Sequence, residues 1–159
     1  MKVLIVSDTH RNNENFNEAL SIEKDVDMLI HCGDVEGSEY YYSEVIDGPV
    51  YMVAGNNDFF SELEMEEEFN IGNLKVFLTH GHYYRVNMGI DMLYEEAKAR
   101  GANIVMFGHI HRPMIECIGG IWVINPGSIS YPRQPGRDKT YIILNIDENG
   151  EPKFELKSI

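Results

Sequence analysis

Five times along this chain a short apolar run ends abruptly in aspartate, asparagine or histidine: KVLIV into SDTH (2–10), DMLIH into CGD (27–34), PVYMVA into GNND (49–58), LKVFLTH into GH (74–82) and NIVMF into GHIH (103–111). Continuous apolar runs of this length suit strands covered on both faces. Between the first three lie ENFNEALSI (14–22) and GSEYYYSEVI (37–46). Phe16, Ala19 and Leu20 fall near helical spacing, as do Tyr41, Val45 and Ile46, and Ser38 stands where it can cap the second helix. A β–α–β–α–β order implies parallel strands joined by crossover helices. Successive units of this kind bring their strand ends to one edge of a sheet, where α/β proteins bind ligands. Polar clusters far apart in sequence are therefore expected to meet in space.

The later chain reads differently. SELEMEEEF (61–69) is Glu-rich, yet Leu63, Met65 and Phe69 fit neither helical nor strand period well. IDMLYEEAKARGA (90–102) is the strongest helix, with Met92, Leu93 and Ala97 expected inside and Gly101 at its end. MIECI (114–118), IWVIN (121–125), TYIILNID (140–147) and KFELKS (153–158) read as consecutive strands, with GG at 119–120 and ENG at 148–150 as hairpin turns. An α/β half followed by a more antiparallel half predicts two packed sheets with helices outside, in one domain over residues 1–159.

Charge narrows the function. Thirteen basic against 26 acidic side chains give a formal net charge of −13. Such a balance argues against long nucleic acid and anionic membranes as partners, but leaves room for a small phosphate-bearing substrate held by bound cations. Cys32 and Cys117 form no spacing motif, which suits free thiols. The first residues do not resemble a signal peptide and no apolar run is long enough to span a membrane, so a cytoplasmic location is expected. Homo-oligomer formation is left open by the sequence.

The donor set is aspartate, asparagine and histidine, without a thiolate grouping. Oxygen and imidazole donors suit Mn, Fe, Ni, Co or Zn rather than a thiolate zinc site. Asp8 and His10 are two apart, as are His109 and His111; in extended chain each pair points to one side. Asp8, His10, Asp34, Asn56, His80, His109 and His111 outnumber the needs of one tetrahedral ion. A carboxylate shared by two ions about 3.5–4 Å apart resolves the count, and such a pair activates a water to hydroxide and clamps a phosphoryl group. Gly33, Gly55, Gly81 and Gly108 sit beside these residues, where a missing Cβ permits close backbone approach.

DTH (8–10), GD (33–34), GNND (55–58), HGH (80–82) and GHIH (108–111), in this order at strand ends, resemble the calcineurin-like metallophosphoesterase superfamily across essentially the whole chain. NPGSIS (125–130) followed by Pro132 and Arg133 resembles its small YfcE-type phosphodiesterases. The resemblance implies an α+β fold: a four-layer α/β/β/α sandwich of two mixed sheets with flanking helices. It implies two divalent ions per chain, with Mn2+ or Ni2+ favoured and Fe, Co or Zn as alternatives. Asp8, His10 and His111 would hold one, Asn56, His80 and His109 the other, and Asp34 would bridge. These seven positions would also be the catalytic set of a phosphodiesterase cleaving small diesters by a metal-activated hydroxide. Asn57 stands where larger members carry a histidine, and a neutral amide is no general acid. A second resemblance, to the retromer subunit with the same fold, implies a non-catalytic protein-interaction scaffold instead.

Around this set, His31 reads as a packed structural histidine and Cys32 as a buried small hydrophobe. His82 reads as a support for the ligands or a substrate contact. Asp58 reads as a brace for a ligand such as His80 or for its own turn. Arg112 and Arg133 read as phosphate contacts or surface salt bridges.

Overall fold

The alternation of buried side chains explains the layering. In the computed structural model, which describes residues 1–159, β1 (Lys2–Val6), α1 (Asn13–Glu23), β2 (Met28–His31), α2 (Glu39–Val45) and β3 (Val50–Met52) make the β–α–β–α–β opening. β1 pairs in parallel with β2, and β2 with β3. A hairpin of β4 (Glu66–Ile71) and β5 (Leu74–Thr79) leads through α3 (Asp91–Ala99) to β6 (Ile104–Met106). Two more hairpins follow: β7 (Pro113–Ile118) with β8 (Ile121–Pro126), and β9 (Thr140–Ile146) with β10 (Pro152–Ser158). One sheet has the order β10-β9-β1-β2-β3 and the other β4-β5-β6-β8-β7; both mix parallel and antiparallel pairs.

Successive residues of a strand face opposite sides, and both sides are apolar here. Val3 and Ile5 of β1, Ile30 of β2 and Ile142 and Leu144 of β9 face Val76, Leu78, Ile104, Met106 and Ile124 of the other sheet. The intervening Leu4, Val6, Leu29 and Ile143 pack against Phe16 and Ala19 of α1 and Tyr42 of α2. Phe77, Val105 and Val123 pack outward against Leu93 and Ala97 of α3. Each fully buried aliphatic chain contributes about 1.5–3 kcal/mol relative to exposure. The result is the α/β/β/α sandwich of two mixed sheets that the sequence predicts.

Some local expectations are corrected. The second half of the Glu-rich stretch belongs to a strand, Glu66–Ile71, because cross-strand partners outweigh intrinsic propensity. Phe69 stacks on Tyr51 at 3.7 Å between ring centres, Glu68 pairs with Lys75 at 2.6 Å, and Arg100 reaches Glu66 at 2.7 Å. In α3 Leu93 and Ala97 are buried, but Met92 is 53% exposed. In α2 the buried anchor is Tyr42, not Tyr41 or Val45, and Ser38 occupies the cap position without a side-chain cap bond. The run at 103–111 stays a strand only to Met106. The Gly119–Gly120 and 148–150 turns are as expected, with Gly119, Gly120 and Gly150 at positive φ. No helix is long and apolar enough to cross a membrane.

Candidate metal centre

The turns that follow β1, β2 and β3 of one sheet and β5 and β6 of the other carry the polar clusters, so the donors meet between two sheets and not along the edge of one. Asp8, His10, Asp34 and His111 bring one ligand atom each within 4.8 Å of one another. His111 Nε2 lies 3.1 Å from Asp8 Oδ1, and His10 Nε2 lies 3.8 Å from Asp34 Oδ2. His80 joins them, its Nε2 being 3.6 Å from Asp34 Oδ2 and 4.0 Å from Asp8 Oδ1. Asn56 Oδ1 sits 3.1 Å from His80 Nε2 and 2.8 Å from His109 Nδ1. All seven sequence candidates therefore meet, with Asp34 Oδ2 between His10 and His80.

The sequence explanation for the paired ligands needs correction. Asp8, His10, Asp34, His109 and His111 are not extended: their φ values are 53°, 47°, 57°, 68° and 54°. Non-glycine residues in the left-handed region cost on the order of 1–3 kcal/mol each and persist only where surroundings dictate them. Here Asp8 N–H donates to the Gly33 carbonyl (3.0 Å) and His10 N–H to the Asp34 carbonyl (3.1 Å), which locks the first two turns together. Asn125 Nδ2 holds the Gly108 carbonyl at 2.9 Å, and Ser128 Oγ holds the Asp8 carbonyl at 2.9 Å. The NPGS segment thus braces two ligand turns besides its own.

Three imidazoles are aimed by their outer nitrogen. His10 Nδ1 donates to Glu36 Oε1 (2.6 Å), His80 Nδ1 to the Cys32 carbonyl (2.7 Å) and His111 Nδ1 to the Tyr131 carbonyl (2.6 Å). These bonds fix the tautomer that leaves Nε2 a free lone pair. Glu36, which holds His10, is absent from the residues that the sequence singles out. It follows Asp34 by two positions, but only the positive φ of both residues turns it back to His10. No local sequence signal marks that turn.

Asp8 tests whether the pocket fits a cation. Its Oδ2 accepts from Ser7 Oγ (2.6 Å) and from the His109 N–H (3.2 Å). Its Oδ1 is buried without any hydrogen-bond partner: His111 Nε2, 3.1 Å away, faces it with a lone pair when the ring's proton is on Nδ1. An orphaned buried carboxylate oxygen among imidazole lone pairs is costly unless a cation occupies that space. Burial alone would raise the Asp8 pKa, but the facing imidazoles of His111 and His80 and the Ser7 hydroxyl outweigh it and hold it at about 2. For His109, burial first, then the charges of His80 and Arg133, oppose protonation and push its pKa down. The donor set and the orphan oxygen fit a divalent cation.

The neighbouring readings now resolve. His31 is buried, accepts from the Gly33 N–H at Nδ1 (3.2 Å), donates from Nε2 to Thr9 Oγ1 (3.0 Å) and stacks on Tyr42; burial pushes its pKa down to about 3. It is a neutral strut. Cys32 is buried and free, and burial raises its thiol pKa. Asp58 does not touch His80; it accepts from the backbone N–H groups of Val35, Glu36 and Gly55, tying the second turn to the third. Asn57 donates from its backbone to Asp34 Oδ1 (2.9 Å) and from Nδ2 to Asp34 Oδ2 (2.7 Å). His82 packs 5.4 Å from His80 between ring centres and leaves its buried Nδ1 unpartnered. Arg112 and Arg133 form no salt bridge and line a cleft with His109.

Residues 1–149 match the calcineurin-like phosphoesterase superfamily domain. The chain belongs to this superfamily. It is 36% identical over 150 residues to the probable metallophosphoesterase YsnB of Bacillus subtilis, covering 94% of this chain and 86% of that protein. Among solved structures, an archaeal phosphodiesterase superposes with a TM-score of 0.76 at 28% identity, over 99% of this chain and 100% of the other. A single mutant of Vps29 from Entamoeba histolytica superposes with a TM-score of 0.79 at 23% identity over 100% of this chain and 99% of its own, a likeness of fold alone.

Glu36→Gln is expected to weaken metal binding by about 10–100-fold, since an uncharged amide no longer raises the basicity of His10 or compels its tautomer. Metal titration with a competing chelator checks this. An unchanged affinity would mean that Glu36 leaves His10 alone.

Proposed function

We propose that this chain is a divalent-metal-dependent phosphodiesterase of the small YfcE type, one domain over residues 1–159, that hydrolyses small phosphodiesters. The observation that carries the reading is the placement of one carboxylate oxygen, Asp34 Oδ2, 3.8 Å from His10 Nε2 and 3.6 Å from His80 Nε2. In this reading Asp8, His10 and His111 hold one ion, Asn56, His80 and His109 hold a second, and Asp34 serves both. Mn2+ or Ni2+ suits the mixed imidazole, carboxylate and amide set best, with Fe, Co or Zn as alternatives. Such ions, when bound, supply the positive charge that acidifies a water and stabilises a phosphoryl group undergoing displacement.

The protein's own part is positioning. Glu36 and the Cys32 and Tyr131 carbonyls hold a proton on Nδ1 of three imidazoles and aim their Nε2 atoms at the cluster. Asn57 grips both oxygens of Asp34, so its amide is committed there and supplies no proton to a leaving group. Substrates with good leaving groups are favoured accordingly. The acidic surface keeps long nucleic acid and membranes away from the list of partners, and a cytoplasmic setting suits the free thiols. Self-association is compatible with this reading but is no part of it.

The other reading, a Vps29-like scaffold without catalysis, is disfavoured by the complete set of seven donors meeting between the two sheets. Complete chelation followed by addition of Mn2+, Ni2+, Co2+, Fe2+ or Zn2+ decides between them, with bis(p-nitrophenyl) phosphate and p-nitrophenyl phosphate as substrates. The chelated protein is expected to be inactive, Mn2+ or Ni2+ to restore the most activity, and the diester to be preferred. Full turnover after verified metal removal, or none with any metal, overturns the phosphodiesterase reading.

A further inference from the structure

We propose that the cleft beside His109 is a second anion subsite, so that the preferred substrate is a small phosphodiester carrying a further phosphate group near the scissile one. The inference rests on the phosphodiesterase reading and deepens it. The cleft, of about 420 Å³, is lined by Val86, Asn87, His109, Ile110, Arg112 and Arg133. Of the seven donors only His109 reaches it, so an anion held there lies beside the reacting phosphate and does not replace it.

Its lining is basic and holds no acidic residue. Elsewhere Lys2 is spent on Glu23, Lys75 on Glu68, Arg100 on Glu66, and Lys153 and Lys157 on Glu155, while Lys24, Arg85, Lys98, Arg137 and Lys139, like the arginines of the cleft, have no carboxylate within 4.0 Å. Arg112 and Arg133 have no carboxylate within 4.0 Å, and no acidic residue lines their cleft. The adjoining cleft meets it at Arg133, adds Arg137 and Lys139, and is also free of acidic lining. By contrast the clefts on the opposite flank, beside Arg11, include Glu14, Glu36, Glu39 and Asp58. In a chain with twice as many acids as bases, unpaired guanidinium groups next to a candidate phosphoryl-transfer site match the fork geometry of a phosphate.

The rim is also fixed relative to the donors. Arg133 N–H donates to the His111 carbonyl (3.0 Å), while the Tyr131 carbonyl accepts from His111 Nδ1 (2.6 Å). Arg112 directly follows His111 in the chain. An anion gripped by these arginines is therefore held at a set distance from the donor cluster. The same few cations are too short a track for a long polymer, which needs a basic surface along many phosphates.

Two measurements test this. In the metal-loaded protein, kcat/KM is compared for a thymidine dinucleotide with and without a 5′-phosphate at matched ionic strength. The phosphorylated form is expected to be preferred by about ten-fold, as suits a charge-assisted bidentate contact, and Arg112→Gln with Arg133→Gln is expected to bring that ratio close to one. In the chelated protein, titration with methyl phosphate is expected to shift the side-chain Nε NMR signals of Arg112 and Arg133 but not that of Arg85. Equal kcat/KM for the two dinucleotides, or uniform shifts of all arginines, overturns the subsite. If no diester is cleaved with any metal, the phosphodiesterase reading fails instead, and the NMR titration alone decides whether the cleft binds phosphate.

Discussion

Asp34→Asn is expected to yield a folded protein that retains neither metal ion tightly and hydrolyses phosphodiesters at least about 10²–10³-fold more slowly, the scale seen when one electrostatic element of a preorganised site is removed. The side chain keeps its shape, so the backbone N–H of Asn57 can still donate to its carbonyl oxygen. The new amide nitrogen would face Asn57 Nδ2, now 2.7 Å from Asp34 Oδ2, and a flip of the Asn57 amide relieves that clash of donors. The charge shared between the two halves of the site is gone. Asp8 and Asp34 are both buried close to the same imidazoles, so removing one carboxylate also lowers repulsion in the metal-free state. Chelated Asp34→Asn is therefore expected to melt no lower than the chelated wild type, while the rise in Tm that metal gives the wild type largely disappears. Metal analysis, thermal melts with and without Mn2+, and diester turnover check the three parts. Retention of two ions, or turnover within ten-fold of the wild type, would remove Asp34 from the shared position.

Much of this architecture is legible because β1 encodes its two environments at alternate positions. Val3 and Ile5 turn to the sheet interface while Leu4 and Val6 turn to the helices. A strand apolar at every position has to be covered on both sides, and the more antiparallel second half of the chain points to a second sheet on one side with helices on the other. Parallel order accounts for the convergence of Asp8, His10, Asp34 and Asn56 on one sheet and of His80 with His109 and His111 on the other; the meeting of the two groups comes from the packing of the sheets. What could not be read is how each donor is aimed. The i and i+2 spacing of Asp8 with His10 and of His109 with His111 suggests extended chain, yet all four residues are left-handed. That conformation is imposed by bonds between distant turns, such as Ser128 Oγ to the Asp8 carbonyl, across a sequence separation of 120. Glu36 escaped notice for the same reason. The 61–69 stretch is ambiguous because the strand character of its second half resides in the partners of Glu66–Ile71, Val76, Lys75 and Arg100, rather than in its own composition.

Gly55→Ala is expected to cost the site its metal affinity by at least about ten-fold and the fold at least about 1–3 kcal/mol, the usual range for forcing extra atoms into a packed interior. The backbone at Gly55 is not left-handed, so an alanine there meets no dihedral penalty; the demand for glycine is one of space alone. A Cβ would stand 2.1 Å from Asp34 Oδ1 and 2.4 Å from the Asp34 backbone nitrogen. A flexible side-chain end could yield, but the nitrogen belongs to a turn pinned by Asp58, which accepts from the N–H groups of Val35, Glu36 and Gly55. Relief must therefore come from separating the second and third donor turns, which moves Asp34 away from Asn57 and from the imidazoles. Gly48→Ala separates this effect from simple overpacking. Its Cβ would meet the Asp27 carbonyl at 2.2 Å, at the starts of β2 and β3 and so at the opposite ends of these strands from the donor turns, and it should lower Tm while the folded protein still takes up its metal. Metal stoichiometry and affinity, measured below the melting temperature of each variant, distinguish the two. If Gly55→Ala binds metal as tightly as Gly48→Ala does, close approach of the third turn to Asp34 is not what shapes the site.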